Sequence, residues 1–227
     1  MTIAFVPAKS KSTRVINKNF VDLGGQPLIE WTLRACENWE YITKIVVATD
    51  NLDIKKYLGN RADIYDLQVL DSEDNRTVAN LWKDFVAKNK EEKHVLLQCT
   101  NPFRTLREME ITASIYEKGE HDIVIAVKGI QHCILDENGN LSKDDIRGRM
   151  TLITQHRTPK YELNGSCCIS NKDYINSCSF YEEGKVFPFK LKSMSSLEID
   201  TEDDLKLCRA IADPIGFDNW WKIYGLS

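Results

Sequence analysis

Apolar positions along this chain fall into two alternating patterns, short continuous runs and longer stretches with helical spacing. Ile3 to Val6 is short, β-rich and without polar alternation, which predicts a strand buried on both faces at the centre of a parallel sheet. Thr43 to Asp50 (TKIVVATD) predicts a second buried strand, and Ile64 to Leu70, His94 to Gln98 and Asp122 to Lys128 predict further strands. Between them lie helical patterns. Pro27 to Cys36 places Leu28, Ile29, Trp31, Thr32 and Ala35 near one face, with Pro27 suited to the first turn. Asp53 to Leu58 is short and amphipathic, Thr77 to Lys88 spaces Val78, Leu81, Trp82 and Phe85 as a core-facing stripe, and Leu106 to Tyr116 follows the Asn101-Pro102 turn. This β-α-β rhythm predicts an α/β fold with a mostly parallel central sheet and helices on both faces.

Beyond Gly129 the rhythm loosens. Asp136 to Asn140 reads as a turn, Lys143 to Arg149 is highly charged and Met150 to Thr154 is a short extended run. Leu163 to Ser170 (LNGSCCIS) returns to strand, with Asn164-Gly165 bringing the backbone close to a neighbour. Val186 to Lys192 and Ser196 to Asp200 are the last predicted strands; a helix over Glu202 to Ala212 and a tail with Trp220 and Trp221 follow. No internal repeat, low-complexity tract or linker interrupts the chain, so one core is expected.

Composition narrows the possibilities. The 227 residues are 42% hydrophobic and 28% charged, ordinary for a globular domain, and the formal net charge of -4 argues against nucleic-acid binding as the main task. No long apolar run and no charged-then-apolar leader opens the chain, so no membrane association is expected and the cytoplasm is the expected compartment. The seven cysteines lack CxxC spacing and suit small buried hydrophobes; the four histidines form no metal-ligand pattern.

Two stretches carry chemistry. The first is Thr2 to Asn19, where a buried strand runs into a loop with Lys9, Lys11, Arg14 and Lys18 and the hydroxyls of Ser10, Ser12 and Thr13. Ligands of open α/β sheets bind at the carboxyl ends of strands, and cations with hydroxyls suit phosphate oxygens. A solvated loop suits the same residues, so on spacing alone both readings stand open. The loop is neither a P-loop nor a GxGxxG dinucleotide turn, which disfavours a nicotinamide-dependent oxidoreductase. The second stretch is SLEIDTEDDL, Ser196 to Leu205. In an extended strand Glu198 and Asp200 project from one face, and two adjacent carboxylates are relieved by a hard cation such as Mg²⁺ or Mn²⁺. Helix-start chemistry accounts for Thr201 as N-cap and for Glu202 and Asp203 beside it, but not for Glu198 and Asp200.

Taken together, PAKSKSTRVINKN, GGQPLIEWTLRA, VVATD, LLQCTNPFR, NGSCCIS and EIDTEDDL occur in the order seen in the acylneuraminate cytidylyltransferases, the CMP-sialic acid synthetases and their relatives, and the chain resembles that family over nearly its whole length. Four departures stand out. Lys9 follows Ala8 where the family has Ala-Arg, Lys11 stands where a glycine is common, Glu198 replaces the first aspartate of Asp-Ile-Asp-Thr, and Val69-Leu70-Asp71-Ser72 stands near an expected arginine-proline step.

The resemblance implies a Rossmann-like nucleotide-diphospho-sugar transferase fold over residues 1–227, with 129–160 inserted as a dimerisation and sugar-site arm of a homodimer. It implies transfer of CMP from CTP to a nonulosonic acid. Lys9, Lys18 and Arg14 would hold the triphosphate, with Ala8, Ser10 and Asn19 also at the nucleotide. Asp200, Lys18 and Arg14 would be catalytic, with Mg²⁺ or Mn²⁺ on Glu198 and Asp200. Gln98, Thr100, Asn101 and Asn164 would face the sugar, and Gln155, His156 and Arg157 would lie near its carboxylate, reaching over from the partner subunit. The alternatives are the synthetase acting on 3-deoxy-manno-octulosonate, whose relatives carry an aspartate in the turn equivalent to CTNPF, and a nucleotide- or sugar-binding relative without catalysis.

Overall fold

The computed structural model of the chain describes residues 1–10, 12, 14–67, 77–130, 137–140, 160–177 and 184–226. Strand β1 (Thr2–Pro7) pairs in parallel with β4 (Lys44–Thr49) on one side and β6 (Lys93–Leu96) on the other. Its central place explains its composition. Ile3 and Phe5 belong to one buried cluster, Ala4 and Val6 to the cluster on the opposite face, and all four are fully buried. A strand covered on both faces has no polar side to show.

The sheet has seven strands in the order β5-β4-β1-β6-β8-β7-β9, with β5 at Asp63–Asp66, β7 at Ile123–Ile130, β8 at Lys160–Asn171 and β9 at Val186–Lys190. Only β8 runs against the others, inserted antiparallel between β6 and β7. A small separate ladder joins β2 (Asp22–Leu23) to β3 (Gln26–Pro27), so Pro27 closes this ladder and caps the next helix instead of sitting in its first turn.

Helices cover both faces, as the periodicity predicts. On one side pack α1 (Leu28–Asn38), α2 (Leu52–Leu58), α4 (Leu106–Tyr116) and α6 (Glu202–Ile215); on the other pack α3 (Val78–Ala87) and α5 (Lys172–Ser177). The expected bounds of the Leu106–Tyr116 helix are those observed, because Thr105 caps its start by accepting from the Glu108 N–H. Trp220 and Trp221 do not form a tail. The chain turns at Gly216 into α7 (Phe217–Trp220), and the edges of Phe217 and Trp220 pack on buried Trp31 at centroid distances of 5.0 and 5.2 Å. Among the described residues no helix is long and apolar enough to cross a membrane.

One expected strand is absent. Among the described residues Ser196 to Asp200 makes no ladder: Ser193–Ser196 is a turn, and residues 197–200 carry no strand. Ile199 is buried and its N–H donates to the Thr100 carbonyl, a single bond where a strand would make several. The Ile64–Leu70 expectation is met by β5 as far as Asp66; residues 68–70 and the Met150 to Thr154 run lie outside the described residues.

Candidate functional site

A cleft of about 380 Å³ opens at the carboxyl ends of β1 and β6. Its floor and sides combine Lys9, Ser12, Arg14, Lys18 and Asn19 from the loop after β1, Gln98, Cys99 and Thr100 from the turn after β6, and Glu198 and Asp200 from the segment before α6. Val78 and Leu81 of α3 add an apolar side. Three stretches far apart in sequence thus bring cations and carboxylates to one place.

The loop is shaped by its own side chains. Asn19 Nδ2 donates to the Lys9 carbonyl at 2.9 Å. Asp50, at the end of β4, accepts the Ser10 N–H and the Ser10 hydroxyl, each at 2.7 Å. Asn17 takes a left-handed conformation with φ 51° before a 3₁₀ turn at Lys18–Phe20, a conformation asparagine tolerates better than most residues. Lys18 then points inward: its Nζ donates to Asp200 Oδ1 at 2.9 Å and to the Ile199 carbonyl at 3.0 Å. The more exposed Arg14 guanidinium lies 3.4 Å from the same Asp200 oxygen.

Glu198 sits deeper. It accepts the Thr100 hydroxyl at 2.9 Å. Burial pushes its carboxyl above the ordinary range, the Thr100 hydrogen bond draws it back, and the Asp200 charge raises it further. That mutual repulsion is what a hard cation relieves. No group of three or more His, Cys, Asp or Glu residues gathers among the described residues to cage a metal by itself. Two carboxylates opening onto a cationic cleft are a donor set that fits Mg²⁺, which keeps several waters and is usually held by one or two carboxylates and the substrate's phosphates.

Eight of the expected site residues line the cleft: Lys9, Arg14, Lys18, Asn19, Gln98, Thr100, Glu198 and Asp200. Four do not. Ala8 is buried, with its N–H on the Ala48 carbonyl; Ser10 is clasped by Asp50; and Asn101 and Asn164 are buried behind the cleft, hydrogen-bonded to each other. Lys11, Thr13, Gln155, His156, Arg157 and the Val69 to Ser72 stretch lie outside the described residues. The expected helix-start roles hold: Thr201 accepts from the Asp204 N–H, Asp204 completes the capping box, and Glu202 and Asp203 occupy the first turn.

Sequence reasoning missed Asp50 as the clasp of the loop and Arg104 as its counterpart in the opposite wall. Arg104 is fully buried and donates to the Gln98 carbonyl at 2.6 Å, the Ser166 carbonyl at 3.1 Å and Thr32 Oγ1 at 2.7 Å, neutral groups that fix the turn carrying Gln98. Apart from the arginine's place just after a turn, no local signal marks it. Gly165, by contrast, was legible as a close approach. A Cβ there would stand 2.6 Å from Gln98 Nε2 and 2.8 Å from Asn101 Oδ1. Gly165→Ala should therefore displace Gln98 from the cleft wall and cost on the order of 1–3 kcal/mol of stability by overpacking. Denaturant melts with steady-state kinetics test this, and an alanine variant with wild-type stability and turnover would show that the wall yields freely.

The sequence over residues 3–213 matches the family described as Cytidylyltransferase. A CMP-N,N'-diacetyllegionaminic acid synthase of Legionella pneumophila is 31% identical over 228 residues, covering 93% of this chain and 96% of that protein. An N-acylneuraminate cytidylyltransferase of Streptococcus agalactiae is 27% identical over 212 residues, covering 89% of this chain and 51% of that protein, so the chain spans about half the length of this second relative. Among solved structures, a CMP:2-keto-3-deoxy-manno-octonic acid synthetase complexed with CTP superposes with a TM-score of 0.67 at 13% identity, covering 92% of this chain and 97% of the other, which is a likeness of fold.

Proposed function

Because this chain belongs to the cytidylyltransferase family, we propose that it joins CMP from CTP to the anomeric hydroxyl of a nonulosonic acid and releases pyrophosphate. The observation that carries this reading is the convergence of Lys9, Arg14 and Lys18 with Glu198 and Asp200 in one cleft. In the reaction the sugar's hydroxyl oxygen gives up its proton to water and forms a bond to the α-phosphorus, while the bond to the bridging α–β oxygen breaks and its electron pair leaves with pyrophosphate. Such a transfer is promoted by positioning and charge neutralisation.

Lys9, Arg14 and Lys18 neutralise the triphosphate and the charge that grows on the leaving pyrophosphate. Lys18 already rests on Asp200, so an arriving triphosphate exchanges one anionic partner of this ammonium for another. Val78 and Leu81 offer the cleft an apolar side. Gln98 and Thr100 face the acceptor sugar. Glu198 and Asp200 would hold the divalent cation, which when bound supplies positive charge beside the α-phosphate and acidifies the attacking hydroxyl.

The reading is tested by mixing the protein with CTP, Mg²⁺ and a panel of neuraminic, legionaminic, pseudaminic, deaminated and 3-deoxy-manno-octulosonic acids, following pyrophosphate and CMP-sugar. Turnover with a nonulosonic acid is expected. Turnover with the octulosonate alone would replace the acceptor, and CTP binding without turnover on any acid would make the protein a binding relative.

The protein acts as a homodimer in this reading, with residues 129–160 at the contact and Arg157 reaching the partner's cleft. Tyr161 and Leu163, 45% and 52% exposed where β8 begins, are the apolar surface next to this segment. A symmetric twofold contact is the commonest way to cover such a surface. Mixing inactive Asp200→Asn with inactive Arg157→Ala subunits should restore roughly a quarter of wild-type activity, since half the dimers are mixed and each holds one intact site. Monomers in sedimentation would remove the dimer; dimers without complementation would remove only the shared site.

A further inference from the structure

The segment bearing Glu198 and Asp200 has no sheet ladder to set its register, and two buried amides hold it instead. Asn101 Nδ2 donates to Asn164 Oδ1 at 3.1 Å and to the Leu197 carbonyl at 3.4 Å. Asn164 Nδ2 donates to the Ser196 carbonyl at 3.1 Å, and its Oδ1 also accepts the Ser166 N–H at 3.0 Å. Two successive carbonyls directly before Glu198 are thus gripped from β8 and from the turn after β6. The same turn continues the grip: the Thr100 carbonyl accepts the Ile199 N–H at 2.8 Å, and the Thr100 hydroxyl reaches Glu198 itself.

Asn101 is 0% exposed and Asn164 5%, and the Asn101 amide spends both of its N–H groups on these bonds. Neither residue lines the cleft. We propose that the Asn101–Asn164 pair is the positioning device of the two carboxylates, fixing the backbone just ahead of Glu198 so that Glu198 and Asp200 face the cleft together. These are positioning residues, not sugar contacts. The inference rests on the proposed reading of Glu198 and Asp200 as the seat of a divalent cation. A buried amide network of this kind holds one geometry because any slip leaves polar groups unpaired away from water. Partners that orient metal ligands are worth 10–100-fold in metal affinity or activity when removed.

The test compares wild-type protein with Asn101→Ala and with Asn164→Asp. The second variant is isosteric and keeps both acceptor bonds of Asn164, but sets a carboxyl oxygen against the Ser196 carbonyl in place of the amide donor; because it opens no cavity, it stands in should the first variant fail to fold. CTP affinity is measured by calorimetry with and without Mg²⁺, and kcat is followed as Mg²⁺ is raised. Without Mg²⁺ both folded variants should bind CTP as the wild type does, since Lys9, Arg14 and Lys18 are untouched. The gain in CTP affinity on adding Mg²⁺ should shrink by about tenfold or more in both variants, with kcat partly recovered by excess Mg²⁺. A folded variant that keeps the wild-type Mg²⁺ gain and shows only a raised KM for the sugar acid would overturn the proposal and return the asparagines to the sugar site. Wild-type protein whose CTP affinity ignores Mg²⁺ would instead remove the metal reading itself, and the inference with it.

Discussion

Asp200→Asn should lose about 10²-fold or more in turnover while the protein stays folded, the range seen when preorganised charge stabilisation is removed. The separation of the two effects follows from where Asp200 stands. The helix behind it is capped by Thr201 and Asp204, whose mutual bonds do not involve the Asp200 side chain. The Asp200 side chain is 39% exposed, so water screens its pairs with Lys18 and Arg14, and losing them costs about 1 kcal/mol or less. Activity depends on the carboxylate differently, because the amide binds a hard cation poorly and offers no negative charge to share with Glu198. The measurement is kcat beside the melting temperature, and a folded variant turning over near the wild-type rate would end the metal role of Asp200.

Lys18→Ala should weaken CTP binding by roughly 10- to 100-fold, the worth of a charge-assisted hydrogen bond lost from a partly buried site. The Lys18 side chain is 14% exposed against 64% for Arg14, so it is the better shielded of the two cations on Asp200. The wild-type advantage should shrink as salt is raised, because the Debye length falls from about 10 Å at 0.1 M to about 3 Å at 1 M. Removing Lys18 also frees Asp200 Oδ1 of its nearest cation. Calorimetric titration with CTP across a salt series decides the matter: affinity that does not respond to the substitution would return the loop to ordinary solvated chain.

The cleft was legible wherever a local pattern implied a unique place in space. Ile3 to Val6 could only be a strand covered on both faces, and a cationic loop leaving its carboxyl end had to open onto the sheet's ligand edge. Helices were legible because their apolar stripes and caps, Thr77, Thr105 and Thr201, are written within a few residues. What escaped depends on partners distant in sequence. A run such as LNGSCCIS reads as strand in either direction, and only the fold inserts β8 antiparallel between β6 and β7. Ser196 to Asp200 has strand-like composition but joins no ladder among the described residues, and side chains hold it instead. Asn101 and Asn164, which the resemblance places at the sugar, are buried inside the wall, where Asn101 donates to Asn164 and Asn164 to the Ser196 carbonyl. Arg104 gave no warning because its partners are backbone carbonyls and a threonine, groups every sequence contains.

In the β7–β8 ladder Ile130 stands opposite Lys160, so the two chain ends that flank residues 131–159 are held at one rung. An excursion pinned in this way is nearly indifferent to its own length, each doubling adding only about 0.6 kcal/mol of closure entropy. The anchoring rung thus works as a socket. A change in the length of chain between these two residues therefore leaves the pairing of β7 with β8 in place, and chimeras cut at this rung should keep the register of the sheet that carries the cleft.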